Sequence, residues 1–249
     1  MAVTSAANAW AVGGTGNPSR PLIEHWNGKT WQRVPNPYTG PADLWAVTAA
    51  SATNVWAVGE YFFGSNGTGV LIEHWDGKAW RRVPAPNPLD SELLGVTVTS
   101  RTDAWAVGDY TNNTINDFTL VEHWNGKKWT RVAAPTPRQG ASLLGVAARS
   151  PSLAFAVGTT QTFLFNLGNT FLEEWNGHVW REVTKPTPFA GLLTAVTFRS
   201  GKSAFAVGSN DSLGYSPNGW TLIERWNGAG GGDRRRLIAV TSPGLSGPS

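Results

Sequence analysis

The chain of 249 residues has no cysteine. That excludes a disulfide framework, thiolate metal sites, iron–sulfur clusters and a cysteine nucleophile, and it leaves the compartment undecided, because exported proteins also dispense with Cys. Charge is scarce as well: Asp, Glu, Lys and Arg make up 15% of the residues, too few for self-repulsion to keep the chain expanded. There are only four His and one Met. No apolar run approaches the ~18 residues of a membrane-spanning helix, and no basic-then-apolar leader follows Met1. The net charge of +3 is small, and part of it sits in Arg234, Arg235 and Arg236. Elsewhere no basic stripe of the kind that binds nucleic acid is visible.

Turn and strand formers are present in excess. The chain has 29 Gly and 16 Pro, which punctuate it with turns, and 14 Trp with frequent Val and Thr between them, which favours strands. A repeat explains the excess. The pentapeptide (Ala or Val)-(Trp or Phe)-Ala-Val-Gly recurs with its aromatic at Trp10, Trp56, Trp105, Phe155 and Phe205. A second mark, Glu-x-Trp-(Asn or Asp)-Gly, has its Trp at Trp26, Trp75, Trp124, Trp175 and Trp226. Both marks keep a period of about 50 residues, the range of propeller and solenoid units.

Each unit reads as four strands. The first, such as Leu93–Thr99, ends at a Ser five residues before the aromatic: Ser5, Ser51, Ser100, Ser150 and Ser200. That Ser, followed by Asn8, Asn54 or Asp103, suits a tight turn closed by side-chain bonds to backbone. The second strand is the Ala-Trp-Ala-Val-Gly run, whose large residues alternate with Ala and Gly, so that one face is bulky and the other nearly bare. A neighbouring sheet can approach the bare face closely. The third and fourth strands form a hairpin through Asn27-Gly28, Asp76-Gly77, Asn125-Gly126, Asn176-Gly177 and Asn227-Gly228, a strong hairpin signal in which both residues tolerate positive φ. Pro-x-Pro segments at 35–37, 84–86, 135–137 and 186–188 then end the fourth strand. Four antiparallel strands per unit are the blade of a β-propeller. The expectation is an all-β, single-domain β-propeller over 1–249, with five four-stranded blades at about 1–37, 38–88, 89–137, 138–188 and 189–242.

The pair Ala9-Trp10-Ala11-Val12-Gly13-Gly14 and Trp31-x-x-Val34-Pro35 resembles the kelch repeat, with its hydrophobic run into Gly-Gly and its later Trp-x-x-(Leu or Val)-Pro. It departs in detail. Glu60, Asp109, Thr159 and Ser209 stand where the second Gly is kept at Gly14, and the kelch Tyr before the last strand is absent. The units also look like Trp-rich propeller repeats of uncharacterised bacterial proteins. The resemblance implies a propeller with a binding or scaffolding role and transfers no active site.

Both ends are irregular. Aligning Trp10 with Trp105 places Met1 on Val96, inside the first strand, so this reading expects the natural product to begin upstream, with further blades or a leader that would direct it to the cell surface or exterior. A genuine start with a short first strand is the alternative. At the other end Gly231 stands where the fourth-strand Trp is due, and the Arg run reads as a solvated tail. The two ends leave ring closure open.

No Ser-His-Asp order, phosphate-cradling Gly loop or metal-ligand set stands out, so no residue is assigned a catalytic or metal-binding role and no cofactor is called for. His25, His74 and His123 recur on separate blades, too far apart to share a metal, and read as strand positions. Glu24, Glu73, Glu122, Glu173 and Glu224 recur in every unit, which points to a structural task; Arg33, Arg82 and Arg131 on the fourth strand are candidate partners, with Glu182 breaking the pattern. The repeated Trp residues read as core. The connections from second to third strand, by contrast, change from unit to unit and carry Tyr61, Phe62, Phe63, Tyr110, Asn112, Asn113, Phe163, Phe165, Tyr215 and the nearby Trp220. Variable loops on a regular scaffold are where binding residues sit. The sequence therefore points to a non-catalytic, monomeric module that binds a protein or glycan on its loop-rich face, with no nucleic acid and no membrane span. Two rivals are a glycan-cleaving or lyase-type enzyme, marked by one asymmetric acidic or His-bearing pocket, and a repeat-symmetric lectin, marked by equal pockets between blades.

Overall fold

A computed structural model of the chain describes residues 1–64, 67–111, 116–138, 140–160, 168–183, 191–200, 203–209 and 221–226. Over these residues the protein is all β, with no α-helix. Blade 1 holds β1 (Ala2–Ser5), β2 (Asn8–Thr15), β3 (Arg20–Trp26) and β4 (Trp31–Val34). Blade 2 holds β5 (Ala42–Ser51), β6 (Asn54–Phe62), β7 (Thr68–Trp75) and β8 (Trp80–Arg82). In blade 3 the strands are β9 (Ser91–Ser100), β10 (Asp103–Tyr110), β11 (Phe118–Trp124) and β12 (Trp129–Arg131). Blade 4 comprises β13 (Ala141–Ser150), β14 (Leu153–Thr160), β15 (Thr170–Trp175) and β16 (Trp180–Glu182). Blade 5 shows three strands among the described residues, β17 (Leu192–Ser200), β18 (Ser203–Ser209) and β19 (Thr221–Trp226). The place expected for its fourth strand, and the Arg run, lie outside the described residues. Strands pair antiparallel in chain order within each blade, and β5 and β9, β9 and β13, and β13 and β17 touch, so the first strands line the inner rim.

The local chemistry explains the blade. The Ser of the first turn accepts a backbone N–H two residues on, as in Thr102 N to Ser100 Oγ at 3.1 Å. In blades 2 to 5 the first strand carries a bulge between its Leu and the residue two beyond, such as Leu44/Ala46 and Leu143/Gly145. The Gly of Ala-Trp-Ala-Val-Gly sits opposite. A Cβ on Gly108 would lie 2.0 Å from the Glu92 carbonyl oxygen, which is why the motif ends in Gly.

The hairpin turn differs from the expected two-residue form. Trp26 pairs with Trp31, so four residues make the turn, and positive φ occurs at Gly28 (93°), not at Asn27. The Asn27 Oδ1 accepts the N–H groups of Lys29 and Thr30, each at 3.0 Å, and this side-chain bridge holds the turn without left-handed backbone at Asn. Asp76, Asn125 and Asn176 repeat the device.

Blades join through the repeated aromatics. The bulky face of β2 puts Trp10 against Val55, Ala57 and Leu71 of the next blade, with Trp75 and Trp80 at ring-centre distances of 5.0 and 5.2 Å. Trp56 meets Trp124 and Trp129, and Trp105 meets Trp175 and Trp180, in the same tilted and edge-on poses. At the fourth joint Phe155 packs on Phe198 and Trp226. Trp10, Trp56, Trp105 and Phe155 are all buried, as expected of core. Each hides about 150–250 Å², or roughly 4–6 kcal/mol of apolar burial.

Candidate functional site

The two ends of the blades differ in kind. At the end bearing the short turns the same bonds recur. His74 Nε2 lies 2.8 Å from Asn54 Oδ1 while its ring packs on Trp56, and His25 and His123 do the same with Asn8 and Asp103. Burial lowers the pKa of His25 and His74, favouring the neutral ring. Trp26, Trp75, Trp124 and Trp175 each donate their indole N–H to a carbonyl of the first turn, at 2.9–3.1 Å. These side chains serve the fold. Among the described residues, no group of three or more His, Asp or Glu is placed to hold a metal ion.

At the opposite end, where the variable loops emerge, carboxylates gather from blades 2 and 3. Asp43 and Glu60 pair across β5 and β6, and Glu92 and Asp109 across β9 and β10. Glu60 and Glu92 are hydrogen-bonded across the joint, Glu92 being the protonated partner: burial first, then the charges of Asp109, Glu60 and Asp117, push its pKa up to about 8. Burial raises Glu60 too, against a 3.3 Å bond from the Trp45 indole N–H. Asp109 rises to about 6 through burial, with Ser142 of blade 4 donating its hydroxyl as the opposing effect. Asp117 is raised by burial. Ser19 of blade 1 donates to Asp43. Four blades thus contribute to one acidic, asymmetric cluster, with Glu60 and Asp109 buried, beside the exposed indole of Trp45.

Farther out, arginine and tyrosine form two platforms. The Arg82 guanidinium stacks on Tyr61 at 4.5 Å and on Tyr38 at 5.2 Å, and Tyr61 meets Phe63 edge-on at 4.7 Å. In the next blade Arg131 lies 4.2 Å over Tyr110 and donates to its hydroxyl, and Tyr110 stacks on Phe118. Register does place Arg82 beside Glu73 and Arg131 beside Glu122. Yet among the described residues no Glu–Arg ion pair forms, because the guanidinium turns to the tyrosine ring and leaves the glutamate buried.

Of the residues expected on the loop face, Tyr61, Phe62, Phe63 and Tyr110 are described. Tyr61 and Tyr110 are partly buried in the platforms, Phe62 is partly buried, and Phe63 is exposed. Asn112, Asn113, Phe163, Phe165, Tyr215 and Trp220 lie outside the described residues. The acidic side chains were missed from sequence. The signal was present in Glu60 and Asp109, two acids 49 residues apart where the first unit has Gly14.

No family model matches the chain, and no curated protein is similar to it in sequence. Solved structures do match. YCF48 bound to a D1 peptide superposes with a TM-score of 0.52 at 13% identity, covering 95% of this chain and 64% of that one. YCF48 from Cyanidioschyzon merolae gives 0.55 at 11%, covering 97% and 70%. An ulvan lyase of polysaccharide lyase family PL25, bound to -[GlcA(1-4)Rha3S]-, gives 0.57 at 9%, covering 94% and 69%. The chain thus spans less than two thirds of the first of these proteins. At such identities the likeness speaks for architecture alone, and the architecture it establishes is the β-propeller.

Proposed function

We propose that the chain is a binding module that takes a positively charged protein segment on its loop face. The observation that carries this reading is the meeting of Glu60 and Glu92 where β6 touches β9, with Asp43 and Asp109 paired beside them and Asp117 nearby. Burial first, and then the like charges around it, raise Glu92, and a cation brought to the cluster would favour the charged carboxylates over the proton. Lys or Arg side chains supply that cation, and Trp45, bonded to Glu60, offers exposed apolar surface beside it. An acidic glycan would meet repulsion, and the blade-to-blade differences speak against a lectin with equal pockets. The peptide-bound state of YCF48 is consistent with a propeller serving this purpose.

A second reading rests on the same acids. Glu92, protonated near neutrality, and Asp109, whose pKa is about 6, stand on paired strands as an acid and a base would in glycan cleavage. Titration of short Lys- and Arg-rich peptides, beside assays of polysaccharide breakdown, separates the two. Saturable peptide binding weakened by Glu92→Gln supports the module, and polysaccharide turnover abolished by Glu92→Gln replaces it with the enzyme.

A further inference from the structure

Blades 2 and 3 share a combination of residues that blade 4 does without. Glu60-Tyr61 and Asp109-Tyr110 stand at the loop ends of β6 and β10, and Arg82 and Arg131 close β8 and β12. Blade 4 has Thr159-Thr160 and Glu182 at these places, and blade 1 has Arg33 but Gly14-Thr15. The joint to blade 4 still closes, with Trp105 against Trp175 and Trp180. Blade packing therefore does not require the Arg–Tyr platforms, and they stand on the same two blades that gather the acids.

Stacking on a ring leaves the in-plane N–H groups of a guanidinium for other partners. Both arginines are exposed, and among the described residues neither forms an ion pair. Burial raises Glu73 and Glu122, which face them in register, to about 7 and about 8, so near neutral pH these offer at most part of a countercharge. A planar fork held in place by a tyrosine matches a carboxylate in bidentate fashion. Position adds a second constraint. Arg131 follows Trp129 by two residues and so shares the face that closes on Trp56, while Glu60 lies on the face of Trp56. The two residues thus border one joint, Glu60 from an inner strand and Arg131 from the outermost. Two strand spacings, about 10 Å, separate β12 from β10, a reach of roughly three residues of extended chain.

We infer that Arg131, and Arg82 at the neighbouring joint, receive carboxylates of the bound protein segment, which therefore carries Asp or Glu roughly three residues from the Lys or Arg that meets Glu60 and Glu92. This rests on the reading of the loop face as a site for such a segment. It gives that site an order of sign, acidic on the inner strands and cationic on the outer ones, which selects a segment of mixed charge over a uniformly basic one. A uniformly acidic glycan satisfies the arginines but is repelled by the inner acids.

Calorimetric titration of the full chain with two peptides of equal length tests the inference. One carries a Lys pair flanked by Gln, and the other has Glu three residues to either side of the same Lys pair. The Glu peptide is expected to bind the parent about tenfold more tightly, although its net positive charge is lower. The double variant Arg82→Gln, Arg131→Gln is expected to bind the two peptides alike. Arg131→Lys keeps the charge without the planar fork and is expected to retain only part of the preference. Should the double variant lose its strand signal in circular dichroism, the parent and Arg131→Lys decide the matter. Equal binding of both peptides by the parent overturns the inference and leaves the peptide-binding reading standing, whereas binding of neither overturns both. A preference for the Glu peptide that survives in the double variant also overturns it, as does Arg-dependent binding of a sulfated or uronate polysaccharide in place of either peptide.

Discussion

The amide nitrogen of Asn36 donates a 2.8 Å hydrogen bond to the Oε2 of Glu73 across the joint between blades 1 and 2. Asn36 is the middle residue of the Pro-x-Pro segment that leaves blade 1, and Glu73 is the repeated Glu of blade 2. The next two joints lack this bond. Ala85 has no polar group to offer Glu122, and Thr136 gives its hydroxyl to Thr119, so both oxygens of Glu122 and of Glu173 are buried without a partner among the described residues. Burial raises Glu73 to about 7, Glu122 to about 8 and Glu173 to about 9, and the order follows the loss of help: Asn36 and Arg82 oppose the rise at Glu73, only Arg131 at Glu122, and Glu182 adds to it at Glu173.

Asn36→Ala is expected to destabilise the protein by about 1–3 kcal/mol, the cost of an unpaired buried polar group. Ala85→Asn is expected to stabilise it by about 1 kcal/mol by giving Glu122 the missing donor. Urea unfolding measures both. Loss of stability in Ala85→Asn would show that the second joint cannot seat the amide.

Stability should fall as pH rises from about 5 to 9. The folded pKa values of Glu122 and Glu173 lie above the unfolded value near 4.5, so the folded state holds more protons in this window and each rise in pH favours unfolding. Glu122→Gln and Glu173→Gln remove this titration. Melting temperatures of the double variant are expected to change less over that window than those of the parent; an equal slope would place the titration elsewhere.

Trp105→Ala is expected to cost about 3–5 kcal/mol, because Trp105 fills a closed joint against Trp175 and Trp180. Phe63→Ala on the exposed loop is expected to cost under about 1 kcal/mol. Equal denaturation midpoints for Trp105→Ala and the parent would contradict the joint as described.

Binding of a Lys-rich peptide is expected to tighten as pH rises to about 8 and then level off, since the cation replaces the Glu92 proton. In Glu92→Gln that pH dependence should shrink along with the affinity. Calorimetric titration at several pH values decides it, and pH-independent binding by the parent would place the site away from these acids.

The sequence by itself determined the blades. Strand alternation, Ser turns, Asn-Gly hairpins and Pro-x-Pro exits act within a few residues, so their physics can be read locally, and a period of about 50 residues states how often the unit recurs. It also marked the repeated Trp as core, because residues that recur under differing loops answer a shared packing demand. Even the hairpin was legible in place, though not in form: the Asn27 side chain, not its φ angle, closes the turn. Tertiary structure alone decided the rest. Glu60 and Glu92 are 32 positions apart in sequence and become partners only because β6 and β9 meet across a joint. The turn of Arg82 from Glu73 to Tyr61, and the exposure of Trp31 where Trp80 is buried, have the same origin. Identical motifs acquire different roles from the neighbour each one packs against, and that neighbour is set by how whole sheets stack.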